Sequence, residues 1–164
     1  FTKEAIDSLR KLEQKVNKLC SEIEDSLLIV TADHGHIDSR CLCIEDYPDI
    51  MECLVRMPSI EPRALNLFIK PDMKKKFEDE FIRLFGEDFV LMTKEEVIES
   101  KLFGTGTDHI YFKDMLGDYL AVATGDTTIF NTKEEADTFI GVHAGLTTDE
   151  MAIPLIVIDT NEVD

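Results

Sequence analysis

The chain has 164 residues, with 17 basic and 34 acidic side chains and a formal net charge of −17. That length bounds it to one good core with room for a small appended lobe. The charge argues against nucleic acid as a main partner, because a phosphate backbone demands a basic surface. No apolar run approaches the roughly 20 residues that span a bilayer, so no membrane partner is expected, and no secretory leader is visible. Cys20, Cys41, Cys43 and Cys53 have no secretory context, and reduced thiols in a cytoplasmic protein are the simplest account. The chain begins at Phe1 rather than Met, and reads as a processed product or a piece of a longer protein.

Residues 2–24 form an amphipathic helical pattern. Ile6, Leu9, Leu12, Val16, Leu19 and Ile23 recur every three or four positions, Thr2 is a plausible N-cap, and Phe1 is placed to staple onto Ile6. Leu27-Leu28-Ile29-Val30 then reads as a buried β-strand, giving an α-then-β step of a layered sheet. Cys41–Ile44 is a short strand whose Cys41-x-Cys43 alternation puts both thiols on one face. No second close Cys or Cys/His pair completes a zinc box around them. Pro48 opens a short helix through Leu54. A strand follows at Ala64–Ile69, then a charged helix at Asp72–Phe85 with Met73, Phe77, Phe81 and Leu84 inward. Phe89–Met92 is a strand, and Thr93 caps a helix from Lys94 to about Lys101. Tyr119–Thr124 and Thr127–Phe130 read as a hairpin around Gly125-Asp126. Thr132 caps a helix to about Phe139, and Leu155–Ile158 is a closing apolar strand.

Two stretches carry chemistry. Thr31-Ala32-Asp33-His34-Gly35 sets an acid and an imidazole side by side at the carboxyl end of an apolar strand, where ligands of open α/β sheets collect. Carboxylate oxygen and neutral imidazole both suit zinc or manganese, and Gly35 lets the backbone turn. Far downstream, Gly141-Val142-His143-Ala144-Gly145-Leu146-Thr147-Thr148-Asp149-Glu150-Met151 holds His143 in a loop of small residues. Thr147 and Glu150 stand there at capping-box spacing, so a short helix should start. By itself a loop histidine is more often structural than a ligand.

Together the two motifs, in this order and this far apart, resemble the alkaline phosphatase superfamily, and more narrowly its type I phosphodiesterase/nucleotide pyrophosphatase branch. Leu116–Thr124 also looks like that branch's late cap-region strand. The resemblance implies a layered α/β sheet with flanking helices, formed by residues 1–55 and 130–164, with an inserted α+β cap subdomain over 56–129. It implies two divalent metal ions, zinc before manganese, and a small-molecule phosphate ester attacked in line by a Thr or Ser nucleophile. Matched by position, Asp33 and His34 would bind one metal and His143 the other. Paired cations would neutralise charge on the attacking and leaving oxygens. The family's upstream Asp, its nucleophile and its Asp-x-x-x-His pair have no counterpart before Asp33. The chain is therefore expected to be a C-terminal portion, with no catalytic nucleophile of its own and the nucleophile upstream of Phe1. By itself it should bind metal weakly and turn over phosphodiesters negligibly. The metal-dependent phosphomutase branch, and a non-catalytic domain derived from the same fold, are the alternatives.

Other candidates are weaker. His36 and Asp38 either orient a metal ligand or are solvated loop residues, the second being favoured. Asp108-His109 follows no buried strand, and His109 is a minor candidate for substrate contact from the cap. Gly104-Thr105-Gly106-Thr107 lacks the Gly-Lys-Ser/Thr end of a phosphate loop and reads as a turn. Lys74-Lys75-Lys76 reads as a solvated helix face, and Phe68, Phe77, Phe81, Phe85 and Phe89 as core.

Overall fold

The computed structural model describes residues 2–161, so the expected contact of Phe1 with Ile6 lies outside the described residues. The fold is mixed α/β, with seven α-helices and ten short strands among the described residues. No helix there is long and apolar enough to cross a membrane. The chain divides into two compact units: residues up to Asp33 together with those from Ile153 on, and His34–Ala152. The expected insertion, 56–129, falls inside the second unit.

In the first unit, α1 (Lys3–Glu22) starts where the Thr2 side chain accepts a hydrogen bond from the Ala5 N–H at 3.3 Å. The following strand, β1 (Leu27–Thr31), pairs antiparallel with the chain's final strand, Leu155–Asp159, from Leu27 opposite Asp159 to Thr31 opposite Leu155. Ser26 and Thr160 close the ribbon through Thr160 N–H to Ser26 O at 3.0 Å. β1 is not the buried strand its apolarity predicts: Leu27, Ile29, Leu155 and Val157 are all more than half exposed. Leu9 and Leu12 of the α1 stripe are also exposed. The reason is that apolarity alone does not bury a strand. Burial needs a layer on each face, and this sheet has two strands only.

The second unit begins with β2 (Ile37–Asp38), β3 (Arg40–Cys43), α2 (Pro48–Cys53), β4 (Ser59–Glu61) and β5 (Ala64–Leu67). It continues through α3 (Lys74–Phe85), β6 (Phe89–Thr93), α4 (Lys94–Glu99), α5 (Phe112–Met115) and β7 (Tyr119–Ala123). β8 (Thr127–Phe130), α6 (Lys133–Thr138), β9 (Gly141–Val142) and α7 (Thr148–Met151) complete it. Thr93 with Glu96 and Thr132 with Glu135 form full capping boxes at the starts of α4 and α6. The α3 helix starts two residues later than its sequence pattern, because Pro71–Met73 makes a separate 3₁₀ turn. Its lysines pair with acids at the surface, Lys74 with Asp118 at 2.7 Å and Lys75 with Asp79 at 2.6 Å, contacts worth about 0–1 kcal/mol each.

Four strands form an antiparallel sheet in the order β4-β5-β7-β6. Central β7 is buried along its whole length. Its alternation sends Tyr119, Ala121 and Ala123 to a large core with Phe77, Phe81 and Phe85 of α3, and Leu120 and Val122 to a second cluster with Val97 of α4. Phe89 joins the large core, whereas Phe68 is only half-buried, under the Arg56 guanidinium at 3.9 Å.

The hairpin expected around Gly125-Asp126 does not form. Both edges of β7 are taken, by β5 and β6, so β8 leaves the sheet and pairs in parallel with β3, from Arg40 opposite Thr127 to Cys43 opposite Phe130. The Asp88 carbonyl oxygen accepts the N–H groups of both Thr124 and Gly125 and redirects the chain there.

Asn66, buried on β5, holds the turn that precedes β7. Its Oδ1 accepts from the Gly117 N–H at 2.7 Å and its Nδ2 donates to the Met115 carbonyl at 3.1 Å. Asn66→Ala leaves the buried Gly117 N–H unsatisfied and is expected to cost about 1–3 kcal/mol. The check is a lower urea midpoint with an unchanged slope, and an unaltered midpoint would contradict the assigned role.

Candidate metal centre

The site is assembled from two distant segments of the second unit. Antiparallel pairing of β2 with β9 sets Ile37 opposite Val142 and Asp38 opposite Gly141. One step beyond that ladder, His36 comes alongside His143, their ring centroids 5.2 Å apart. Just upstream, the Gly35 N–H donates to the Glu150 carbonyl oxygen at 2.8 Å, tying His34 and His36 to the helix that follows the His143 loop. A Cβ on Gly35 would overlap the Asp149 carbonyl oxygen, so only glycine permits this approach.

Three imidazoles result. His34 and His143 stack nearly parallel, centroids 3.8 Å apart at 13°, and His36 lies 4.9 Å from His34. The ligand nitrogens of all three lie within 4.8 Å of one another. His34 and His143 are half-buried and His36 is exposed. His34 Nδ1 lies 2.9 Å from the Gly35 carbonyl oxygen. A carbonyl can only accept, so that bond requires the proton on Nδ1 and leaves Nε2 as the lone-pair nitrogen.

A buried ion pair locks the loop carrying His143. Arg63 has no exposure at all, and its Nε and Nη2 each donate to the Glu150 carboxylate at 2.7 Å. The guanidinium also donates to the carbonyls of Thr127 and Gly125, both at 2.8 Å. Glu150 in turn accepts from the Gly145 N–H at 2.8 Å and the Thr147 hydroxyl at 2.6 Å. Burial pushes the Glu150 carboxyl up, but Arg63, Thr147 and Gly145 outweigh it and hold the group down at about 2. Thr147 therefore precedes α7 as expected, yet its hydroxyl is spent on Glu150 rather than on a backbone N–H. Ala144, next to His143, adopts a left-handed backbone with φ of 82°, a conformation such a network can hold in a non-glycine residue.

Of the residues singled out from sequence, His34 and His143 are brought together. Asp33 precedes His34 directly but belongs to the first unit. His109 is not in the imidazole group. It lines a separate cleft of about 390 Å³ with Asp108, Gly104 and Gly106, and its Nδ1 accepts from the Tyr111 N–H at 3.3 Å. His36, read as more consistent with a solvated loop, stands in the group. The signal available was the i, i+2 spacing of His34 and His36, which puts two extended residues on one side. Arg63 carried no local signal at all. Glu150 was legible only as a capping-box residue. A cleft of about 560 Å³ lies against His36 and His143, with Ile60, Ile129, Phe130 and Phe139 among its walls.

No protein-family model matches the sequence, and no curated protein does. Solved structures do, and they show that the fold of this chain is one shared with part of several larger proteins. Human ectonucleotide pyrophosphatase/phosphodiesterase 5 is similar with a TM-score of 0.58 and 19% identity, over 94% of this chain and 39% of that one. The murine protein aligns with a TM-score of 0.55 and 23% identity, over 86% of this chain and 36% of its own. Phosphonoacetate hydrolase from Sinorhizobium meliloti 1021, bound to phosphonoacetate, aligns at 0.54 with 17% identity, over 80% of this chain and 36% of its own. An inactive form of the murine protein was solved in complex with AMP. The chain thus spans little more than a third of the structures it matches.

Proposed function

We propose that this chain supplies part of the metal site of a phosphoester hydrolase of the phosphodiesterase/nucleotide pyrophosphatase type. The observation that carries this reading is the meeting of His34 and His143, from motifs over a hundred residues apart, with facing rings at 3.8 Å. In the proposal Asp33 and His34 hold one divalent ion and His143 another, zinc before manganese, and the nucleophile and remaining ligands come from sequence preceding this chain. The donor set fits: neutral imidazole with its second nitrogen hydrogen-bonded to a carbonyl is a common zinc ligand. When bound, such ions neutralise charge on the attacking and leaving oxygens of an in-line displacement.

The chain's own residues do the positioning. Gly35 O orients the His34 ring, and the Arg63–Glu150 pair fixes the backbone on either side of Gly145. The cleft beside His36 and His143 offers the side chains of Ile60, Phe130 and Phe139 to the organic group of a phosphate ester, a class to which the AMP bound by the murine relative belongs.

The test compares this chain with the whole protein on a chromogenic phosphodiester in zinc. The chain alone is expected to show no turnover above background. In the whole protein, His143→Ala should lower kcat/KM by about 100-fold or more, since a metal contributes several kcal/mol of transition-state stabilisation. Robust hydrolysis by the chain alone, or an unaffected His143→Ala enzyme, would sink the reading.

A further inference from the structure

We infer that Glu61 and Glu135 are specificity-determining residues, which make the cleft beside His36 and His143 select a phosphate ester whose organic group carries an alkylammonium charge. The inference rests on the metal-site reading above for the phosphate of that substrate and adds the chemistry of its organic group.

The cleft has a volume of about 560 Å³, within the range of small-molecule sites. His36 and His143 supply part of its wall, and β4, the end of β8 and α6 supply much of the rest. Two of those parts are tied together, since Asn131 Nδ2 donates to the Pro58 carbonyl at 3.0 Å. Glu61 comes from β4 and Glu135 from α6, and among the described residues no Lys or Arg side chain lines the cleft. Arg63, two residues after Glu61, is fully buried and spent on Glu150 instead. An anionic organic group would therefore meet two carboxylates and neither a lysine nor an arginine, whereas a cationic one is drawn in.

The backbone places both carboxylates. Ile60 has φ of 79°, a strained conformation for a β-branched residue. Strand pairing holds it from both sides, with Ser59 opposite Asn66 and Glu61 opposite Ala64. Successive residues of a regular strand point to opposite faces, but at this departure Ile60 and Glu61 both line the cleft. On the α6 side, Glu135 Oε2 accepts the Thr132 N–H at 3.1 Å in the capping box, which fixes the carboxylate at the start of the helix. Phe139, just after α6, is half exposed and stacks on buried Phe130, with ring centroids 5.2 Å apart at 21°. A ring braced in this way adds cation–π attraction to that of the carboxylates. A phosphate ester with an alkylammonium group is a zwitterion. Its anionic end suits a metal site at the imidazoles, and its cationic end suits Glu61, Glu135 and Phe139.

The experiment titrates the ¹⁵N-labelled chain with three probes of one shape and three charges, following amide shifts. The probes are 3,3-dimethylbutan-1-ol, its trimethylammonium isostere, and 3,3-dimethylbutanoate. The cation should bind about 10-fold more tightly than the alcohol, the combined size of one exposed cation–π contact and two exposed carboxylates, and the butanoate more weakly than either. The largest shifts should fall at residues lining the cleft. Glu61→Gln with Glu135→Gln should reduce the preference for the cation to about 3-fold, the part left to the ring. Glutamine can still serve as the capping-box acceptor at 135, so this double variant should unfold at the wild-type urea midpoint. In the unsubstituted chain, salt at about 0.5 M should weaken the cation and leave the alcohol unchanged, a reading that needs no variant. Equal affinity for cation and alcohol, shifts away from the cleft, a preference untouched by the double variant, or one indifferent to salt would overturn the inference. None of these measurements needs a metal or turnover, so its failure is distinguishable from failure of the hydrolase reading.

Discussion

Arg63→Met is expected to cost about 3–5 kcal/mol at neutral pH, the usual loss when one partner of a buried ion pair is removed. Both side chains are essentially without solvent, and no other cation reaches Glu150 among its hydrogen-bond partners. The substitution keeps the volume but leaves a buried carboxylate with only the Gly145 and Thr147 donors. The pH dependence carries the diagnosis. Wild-type Glu150 is held at about 2, against about 4.3 in an unfolded chain. A carboxyl depressed on folding contributes its stability above the unfolded value and loses it as pH falls toward the folded one. That contribution is about 3 kcal/mol in total. In the variant, burial is no longer opposed by the guanidinium, so protonation relieves the penalty. The gap between wild type and Arg63→Met should therefore narrow as pH falls below about 4.3. Urea midpoints measured across that range check this, and a gap that stays constant or widens would refute it.

Gly35→Ala is expected to damage stability and metal binding together. The new Cβ meets the Asp149 carbonyl oxygen and approaches the Glu150 Cα at 3.3 Å, backbone atoms that no side-chain rotation can move aside. Relief requires separating residues 34–36 from α7, which breaks the Gly35 N–H bond to Glu150 O. Overpacking and one lost buried hydrogen bond together amount to about 2–4 kcal/mol. The same displacement carries His34 and His36 away from His143, so zinc binding should fall with stability. Gly106→Ala is the matched control, since a Cβ there meets nothing within 4 Å. If Gly35→Ala melts and binds zinc as Gly106→Ala does, the close approach is not what holds the centre.

Much of the local structure was legible before any coordinates. Thr2, Thr93 and Thr132 were readable as caps because a cap is decided within one helical turn, by a hydroxyl and the N–H groups just after it. Phe77, Phe81 and Phe85 were readable as core because helical spacing puts them on one stripe. The site was half legible. His34 and His143 each sit in a recognisable glycine-containing motif, whereas His36 matched no motif and Arg63 sits in an ordinary Pro62-Arg63-Ala64 turn. What makes Arg63 important is the Glu150 carboxylate 87 positions away in the chain.

The sequence by itself thus determined where the longer helices and strands lie, which residues cap them and which two motifs carry imidazoles, but not the short β2, β4, α5 and β9. Those properties depend on torsional preference and side-chain spacing over a few residues. Only the tertiary structure decided which strand pairs with which, whether an apolar strand is covered, and which polar groups meet. β7 and β8 are joined by a good turn dipeptide, yet β7 had no free edge to offer. β1 is as apolar as β7, yet one is exposed and the other sealed on both faces. His36 came alongside His143 only because β2 found β9. Strand pairing, desolvation and metal geometry are set by neighbours distant in sequence, and those neighbours are fixed only once the chain has closed on itself.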